Sequence, residues 1–287
     1  MISVVLPTRD GERRVGRAIE SILAQTFAEL ELLVVDNGSG DGTRAVAERY
    51  AARDARVRVL VETRRGVAPA RNRGLGEARF PWIAVQDDDD VSHPERLAAL
   101  VEATRRDPRL VLVGSWAAVW SEAEGPREPF HHALTDFDIR LQMRNGPCPF
   151  VASSTLFRRD AALAVGGYLD EYFHCDDYCL WTRLLPKGRF GNLPRHLVVY
   201  RHQDPRTRPE VAEGQREATK RLMARYFKPL RAPERWWLRR RLARLAPIAR
   251  AQIALDWPPE LVARYGLEAA FTRRAAAPAP EAPLTTA

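Results

Sequence analysis

Cysteine is scarce in this chain. There are three in 287 residues, Cys148, Cys175 and Cys179. An odd and small number in a chain of this length excludes a disulfide framework and places the protein in a reducing compartment, the cytoplasm. Long apolar runs are also missing. None approaches the roughly 20 residues that span a bilayer, and the longest, residues 110–120, is broken by Gly114 and Ser115. The apolar start, residues 1–6, is too short for a secretory signal. No internal repeat appears beyond an alternation of strand-like and helix-like segments.

What is present is enough for a core. Hydrophobic residues make up 45% of the chain, which excludes global disorder and allows one large domain or one domain with an appendage. The net charge of +8 is unevenly spread: residues 208–274 hold 16 Lys and Arg against 7 Asp and Glu. The basic surplus therefore belongs to the C-terminal region alone. That region is expected to meet an acidic partner, such as anionic lipid or a polyphosphate, or to present a solvated basic helix face.

Apolar segments at 2–6, 30–35, 57–61 and 82–85 read as strands, with helical spacing between them, for example at Val15, Ala18, Ile19, Ile22 and Leu23. Strands alternating with helices imply an α/β fold, with a mixed or mostly parallel central sheet and helices on both faces. Ligands bind such sheets beyond the carboxyl ends of the strands. Residues 7–10, 36–39 and 86–90 should then share one edge and face one pocket. Further strands are expected at 110–113, 153–157 and 197–200, a helix at 176–185, and basic helices from about residue 208. The Ala/Pro/Thr-rich stretch 275–287 reads as a disordered tail.

Asp87, Asp88, Asp89 and Asp90 follow the fourth strand directly. Adjacent like charges repel, and a cation or solvent must relieve them. Alternation at a strand end would turn Asp87 and Asp89 to one site and Asp88 away from it. Hard carboxylate oxygens suit Mg²⁺ or Mn²⁺, which keep positions open for phosphate oxygens. A solvated acidic turn, with Asp90 or Ser92 capping the next helix, is the simpler alternative.

Several blocks in order resemble the family-2 glycosyltransferases. They are Ser3-Val-Val-Leu-Pro-Thr-Arg-Asp10, Ala18-Ile-Glu-Ser-Ile-Leu-Ala-Gln-Thr-Phe27, Leu33-Val-Val-Asp-Asn-Gly-Ser-Gly-Asp-Gly-Thr43, Gly66-Val-Ala-Pro-Ala-Arg-Asn-Arg-Gly74 and Val85-Gln-Asp-Asp-Asp-Asp-Val91 with Pro94 and Arg96-Leu97. Phe157-Arg-Arg, Gly166-Gly-Tyr168, Cys175-Asp-Asp-Tyr-Cys-Leu-Trp-Thr-Arg-Leu184 and a faint Val199-Tyr-Arg-His202 continue the series to about residue 202. The resemblance implies a GT-A fold over residues 1–205: a nucleotide-sugar half (1–105), an acceptor half (106–205), then a basic helical region (206–274). It implies that Pro7, Thr8 and Asp10 line the base and ribose pocket and that Asp36 accepts from a uracil-like ring. Arg71 and Asn72 would hold the nucleotide, Asp87 would lie near the ribose, and Asp89 would hold a metal bridging the two phosphates. Asp177 would be the catalytic base, with Asp176 the alternative. His202 falls where relatives place a residue near the metal, although a lone His after a strand is ordinarily structural. This chain has Arg9-Asp10 where Tyr-Asn is common, Asn37 where a second acid is frequent, and Asp176-Asp177 where Glu-Asp is common.

The implied reaction is inverting transfer from a nucleotide diphosphate sugar, a UDP-sugar, to a glycan or lipid-linked acceptor, with Mn²⁺ or Mg²⁺ as cofactor and no nucleic acid as partner. A nucleotidyltransferase would share fold and metal, but it carries a Gly-rich, Lys/Arg-containing loop after the first strand, unlike residues 7–11. A non-catalytic membrane-surface scaffold would have no use for Asp87, Asp89 and Asp177. Gly38-Ser-Gly-Asp-Gly42 fails the dinucleotide pattern, since Thr43 replaces the last glycine and the segment follows the second strand. His174, Cys175 and Cys179 lack a second ligand pair, so packing is expected there rather than zinc. Trp236, Trp237, Arg239-Arg-Arg241 and Trp257 suit either a helix lying on an anionic membrane at the inner face or one packed on the catalytic domain.

Overall fold

The computed structural model describes residues 1–121, 125–173, 175–202, 209–267 and 271. His174 and the tail 275–287 lie outside the described residues. In the first half, β1 (Ile2–Thr8), β2 (Leu30–Asp36), β3 (Val57–Val61) and β4 (Trp82–Val85) run parallel in the order β3-β2-β1-β4. Helices α1 (Val15–Leu23), α2 (Thr43–Ala51) and α3 (Val67–Glu77) make the crossovers. Successive strand residues enter opposite layers. Val4, Leu6, Leu32 and Val34 join Ile19, Ile22 and Leu100 on one side, and Val5, Leu33 and Val35 join Leu75, Trp181 and Leu184 on the other. Both faces are covered, which is why these strands read as continuous apolar runs.

β1 continues through Pro7, where the sequence pattern put its end. Val5 is the last β1 residue paired with β4. Proline's missing N–H therefore falls where β1 pairs with β2 alone, and no ladder bond is lost.

After the acidic cluster come β5 (Val91–Ser92) and α4 (Arg96–Arg106). β6 (Leu110–Ser121) extends the strand expected at 110–113 through Gly114 and Ser115 and carries the short β7 (Gly125–Pro126) on its edge. Next is α5 (Asp136–Met143). The strand expected at 153–157 is split. Ala152–Ser154 is a 3-10 turn and β8 (Leu156–Arg158) follows it. Ser154 and Thr155 donate their hydroxyls to the carbonyls of Val151 and Ala152, and these local bonds hold the chain in a turn. α6 (Arg159–Ala164) and α7 (Asp176–Leu184) precede β9 (Arg189–Arg201), thirteen residues long where four were expected. The finished order is β3-β2-β1-β4-β8-β6-β9-β5, parallel up to β4 and mixed beyond it.

Three helices follow: α8 (Pro209–Tyr226), α9 (Ala232–Asp256) and α10 (Pro259–Arg264). None of the described helices is long and apolar enough to cross a membrane. The end of α9 is tied to β9. Asp256 accepts from the His196 backbone N–H at 2.6 Å and from Arg195 Nε at 3.2 Å, and Trp257 Nε1 donates to the His196 carbonyl at 2.7 Å. Trp257 is therefore core, packed with Val91, Ala118 and Val199, and is not a surface aromatic.

α3 lies unusually close to β1. A Cβ on Gly74 would stand 2.3 Å from Val5 Cγ1. Gly74→Ala is expected to cost about 1–3 kcal/mol through overpacking. The check is the urea midpoint, which should fall with no change in slope.

Candidate active site

The carboxyl ends of β1 and β4 open onto a cleft of about 550 Å³. Pro7, Thr8, Arg9 and Arg14 line one wall, and Asp87, Asp88 and Asp89 line another. The strand-end rule thus correctly located it. Loop 36–42 contributes less than expected, since Asn37 alone reaches the wall.

The acids are arranged by a turn, not by strand alternation. The backbone N–H of Asp90 donates to the Asp87 carbonyl at 3.3 Å, and the chain bends there instead of continuing extended. Asp88, expected to face away, lines the cleft with its neighbours. It accepts from Thr8 Oγ1 at 2.6 Å and from Arg14 Nε at 2.8 Å. Asp87 is held from below, because its backbone N–H donates to the buried Ser153 Oγ at 2.9 Å. Asp90 is fully buried and accepts the Arg201 backbone N–H at 2.9 Å, which fastens the acidic turn to the end of β9. Desolvation, then the charge of Asp89, pushes the Asp90 carboxyl well up. Asp89 is pushed up to about 6 by desolvation first and by Asp87 and Asp88 next.

Arg71 connects this turn to the opposite side. Its guanidinium is buried, and it donates through Nη2 to Asp87 Oδ1 at 2.8 Å and through Nη1 to Asp176 Oδ2 at 2.9 Å. It also stacks at 5.5 Å on the Tyr168 ring. Arg71, which the resemblance gave to the nucleotide, lines the cleft while both its terminal nitrogens hold carboxylates. Asn72 does not line the cleft. Its amide exchanges two 2.8 Å bonds with the Tyr168 backbone, fixing the Gly166-Gly-Tyr168 turn to α3. Asp176 is buried under Arg71, whereas Asp177 is only partly covered. Asp177 accepts from the Tyr178 backbone N–H at 2.6 Å. Its carboxyl is pushed up to about 6, by desolvation first and Asp176 second, with Arg71 acting the other way.

Of the other expected residues, Pro7 and Thr8 line the cleft, and Asp10 and Asp36 do not. Asp10 adopts φ +48° and accepts from the Gly40 N–H at 2.8 Å, so it closes the β1 loop onto the β2 loop. Asp36 is buried and accepts from the Ser39 N–H at 3.2 Å. Asn37 instead stitches the β3–α3 loop, donating to the carbonyls of Glu62 and Arg64 and accepting from the Gly66 N–H. His202 lines the cleft with Tyr200 and Arg201. Cys175 and Cys179 are buried in the core, and desolvation pushes the Cys175 thiol up to about 12, which disfavours a thiolate ligand.

A hard divalent cation fits this wall. Asp89 is a half-buried carboxylate crowded by two others, and His202 shares its cleft. Among the described residues no three His, Cys, Asp or Glu groups make a ready cage, so such a cation would take much of its shell from phosphate oxygens and water. Sequence reasoning missed the far wall, Val211, Ala212 and Gln215 of α8. Nothing chemical in those side chains marks them. Ser153, for which the sequence left an acceptor-facing position and an ordinary strand open, instead holds the Asp87 backbone.

Residues 3–166 match the model of glycosyl transferase family 2. The amylovoran biosynthesis glycosyltransferase AmsE of Erwinia amylovora is 30% identical over 207 residues, covering 70% of this chain and 76% of that one. The succinoglycan biosynthesis protein ExoO of Rhizobium meliloti is 41% identical over 173 residues, 60% of this chain and 47% of that one. Among solved structures, TarS 1-349 of S. aureus in complex with UDP superposes with TM-score 0.59 at 17% identity, covering 94% of this chain and 88% of that one. The mannosyltransferase PcManGT of Pyrobaculum calidifontis, in complex with GDP-Man and Mn²⁺, gives TM-score 0.61 at 20% identity, covering 94% and 79%. The shared architecture is the GT-A fold.

Proposed function

The chain belongs to glycosyl transferase family 2, and from that footing we propose that it transfers a sugar from a UDP-sugar to a hydroxyl of a glycan or lipid-linked acceptor, with inversion, in polysaccharide assembly. One observation carries the reading: a single buried guanidinium, Arg71, joins the donor-side Asp87 to Asp176, next door to the partly open, raised Asp177. This supports the reading, because the acidic turn that lines the cleft is linked through one cation to the immediate neighbour of the candidate base.

Asp177 takes the acceptor's hydroxyl proton as that oxygen bonds to the anomeric carbon from the face opposite the leaving group. The bond from the anomeric carbon to the diphosphate oxygen breaks, and a nucleoside diphosphate leaves with the electron pair. Its phosphates are already acidic, so no general acid is required. Asp89, with His202, would hold a divalent cation, which when bound supplies neutralisation of the charge on the leaving diphosphate. Asp87 is fixed by Arg71 and Ser153 where it can orient the ribose. Thr8 and Arg14 hold Asp88 and so fix the turn as a whole.

Calorimetry with UDP, GDP, dTDP and CDP, each with and without Mn²⁺, tests this. UDP is expected to bind in a metal-dependent way, and Asp89→Ala is expected to weaken binding by at least about tenfold through the lost charge-assisted contact. Binding of another diphosphate alone corrects the base. Binding of none, in protein shown by circular dichroism to be folded, overturns the transferase reading for this cleft.

A further inference from the structure

The sequence pairs two tryptophans with a run of arginines, and the structure sends the two pairs in opposite directions. Trp237 turns inward. It meets the Phe137 ring edge-on at 5.4 Å, and Arg241, stacked on it at 4.6 Å, reaches Asp138 at 2.9 Å. This pair clamps α9 to α5. Trp236 turns outward and is 58% exposed, with Arg240 stacked on it at 4.8 Å.

Trp236 is the first of an outer row. Arg240, Ala243, Pro247, Ala251 and Leu255 recur at spacings of three or four, and all are exposed. Leu238, Ala249 and Asp256, on the other side of the helix, are buried. Ile248 and Leu255 are 51% and 75% exposed. A helix docked on a protein body usually has one apolar side, turned inward. α9 has two, and the outer one is flanked by arginines. Among the described residues no acid pairs with Arg235, Arg239, Arg240 or Arg244. The two acids of α9 are both engaged elsewhere, Glu234 with Arg144 and Asp256 with Arg195 and His196. The outer row thus carries apolar side chains among arginines and no acid of its own, while Glu128 from outside the helix pairs with Arg250 beside it.

We infer that the outer face of α9 is a docking surface for an anionic lipid bilayer, with Trp236, Ile248 and Leu255 entering the headgroup region and Arg235, Arg239, Arg240 and Arg244 meeting the lipid phosphates. The charge pattern selects this occupant. A second copy of the same face would bring arginines against arginines, and a soluble polyanion would leave Trp236, Ile248 and Leu255 in water. Trp and Arg together at one depth suit the interface, where a ring is half-buried and a guanidinium stays hydrated. The helix lies along the surface and does not enter it. This inference does not depend on the donor or the base in the cleft.

The full chain is tested by co-sedimentation with vesicles of phosphatidylcholine alone, or of phosphatidylcholine and phosphatidylglycerol in equal parts, at low and high salt. Binding to the anionic vesicles, lost in high salt, is expected. Arg239→Ala with Arg240→Ala should lower the partition coefficient by about 30-fold. Trp236→Ala should lower it by about tenfold. Arg105→Ala with Arg106→Ala, exposed arginines on α4, should leave it unchanged. UDP titration of each variant separates loss of this face from loss of fold or of donor site. Equal binding to neutral vesicles, an equal loss from the α4 pair, or concentration-dependent dimerisation without vesicle binding would each overturn the proposal.

Discussion

Asp177→Asn is expected to slow sugar transfer by about 10²–10⁴-fold, the range lost with a general base, while leaving UDP binding and thermal stability near those of the parent. The side chain is only partly buried and makes one backbone contact that an amide oxygen can still accept. In the proposed reaction it acts through its basicity. Desolvation first and the Asp176 charge second raise the carboxyl to about 6, against the pull of Arg71, with Asp87 adding to the rise. Cys148, Cys175 and Tyr168 also face it, and burial keeps all three protonated. A base must be ionised to accept a proton, so kcat should fall as pH drops through about 6 and be flat above it. Single-turnover rates across that range, in parent and variant, check both statements. With donor and Mn²⁺ saturating, so that Asp89 stays ionised, the part of the acid limb that belongs to Asp177 should disappear in Asp177→Asn.

The same substitution at Asp176 should behave differently, and the contrast decides between neighbours that sequence could not separate. Asp176 is buried under Arg71. Its loss leaves a buried guanidinium with one partner in place of two, so stability should suffer before chemistry does. A large loss of rate in Asp176→Asn, in stable protein whose Asp177→Asn counterpart is active, would exchange their roles.

The parts legible in sequence were those written in local pattern. Four parallel strands, the helices between them and the acids beyond β4 all follow from apolar spacing and a like-charge cluster. The cleft at the strand ends follows from topology. What was hidden depends on contacts distant in sequence. Arg71 reads as a nucleotide ligand, and nothing local shows that it also holds Asp87 and Asp176, 16 and 105 residues away. Asn72 is spent on a backbone 96 residues on. Asp88 should face away if the strand continues, and a turn at Asp90 prevents it. Ser153 reads as a strand residue because the hydroxyl bonds of Ser154 and Thr155 that turn the chain are invisible to periodicity. β9 was read as four residues because Arg189, Asn192, Pro194 and Arg195 interrupt its apolar pattern. Those polar residues are satisfied by partners such as Asp256 for Arg195 and the Ala133 and Pro149 carbonyls for Asn192.

Arg71→Met follows from the same network and should be the most damaging change outside the acid turn. Methionine keeps much of the volume and removes the charge. Asp87 and Asp176 then face each other, with Asp177 nearby, without the cation that stands between them. Breaking a buried pair from one side costs about 3–5 kcal/mol, a large share of the roughly 5–15 kcal/mol that holds a domain together. The loss should depend on pH. Without Arg71 the already raised Asp177 loses the charge that lowers its carboxyl, and it binds its proton still more tightly in the folded state than in the unfolded one. That contribution to stability is greatest at acid pH and is lost as pH rises from the ordinary carboxylate range through the raised folded value. Urea midpoints at several pH values test this sign. Activity should fall too, because Asp177 loses the charge that favours its ionised form, and the acid limb of kcat should move to higher pH. Arg71→Lys keeps the charge but lacks the fork that reaches two carboxylates at once, so it should restore the limb's position more than the stability. Arg71→Met with Asp176→Asn removes one charge from each side. That double variant should regain stability over Arg71→Met alone and stay slow, since the amide at 176 relieves repulsion without restoring the link between Asp87 and α7. Recovery of both together would mean that Arg71 serves only to neutralise Asp176, and that its hold on Asp87 has no part in transfer.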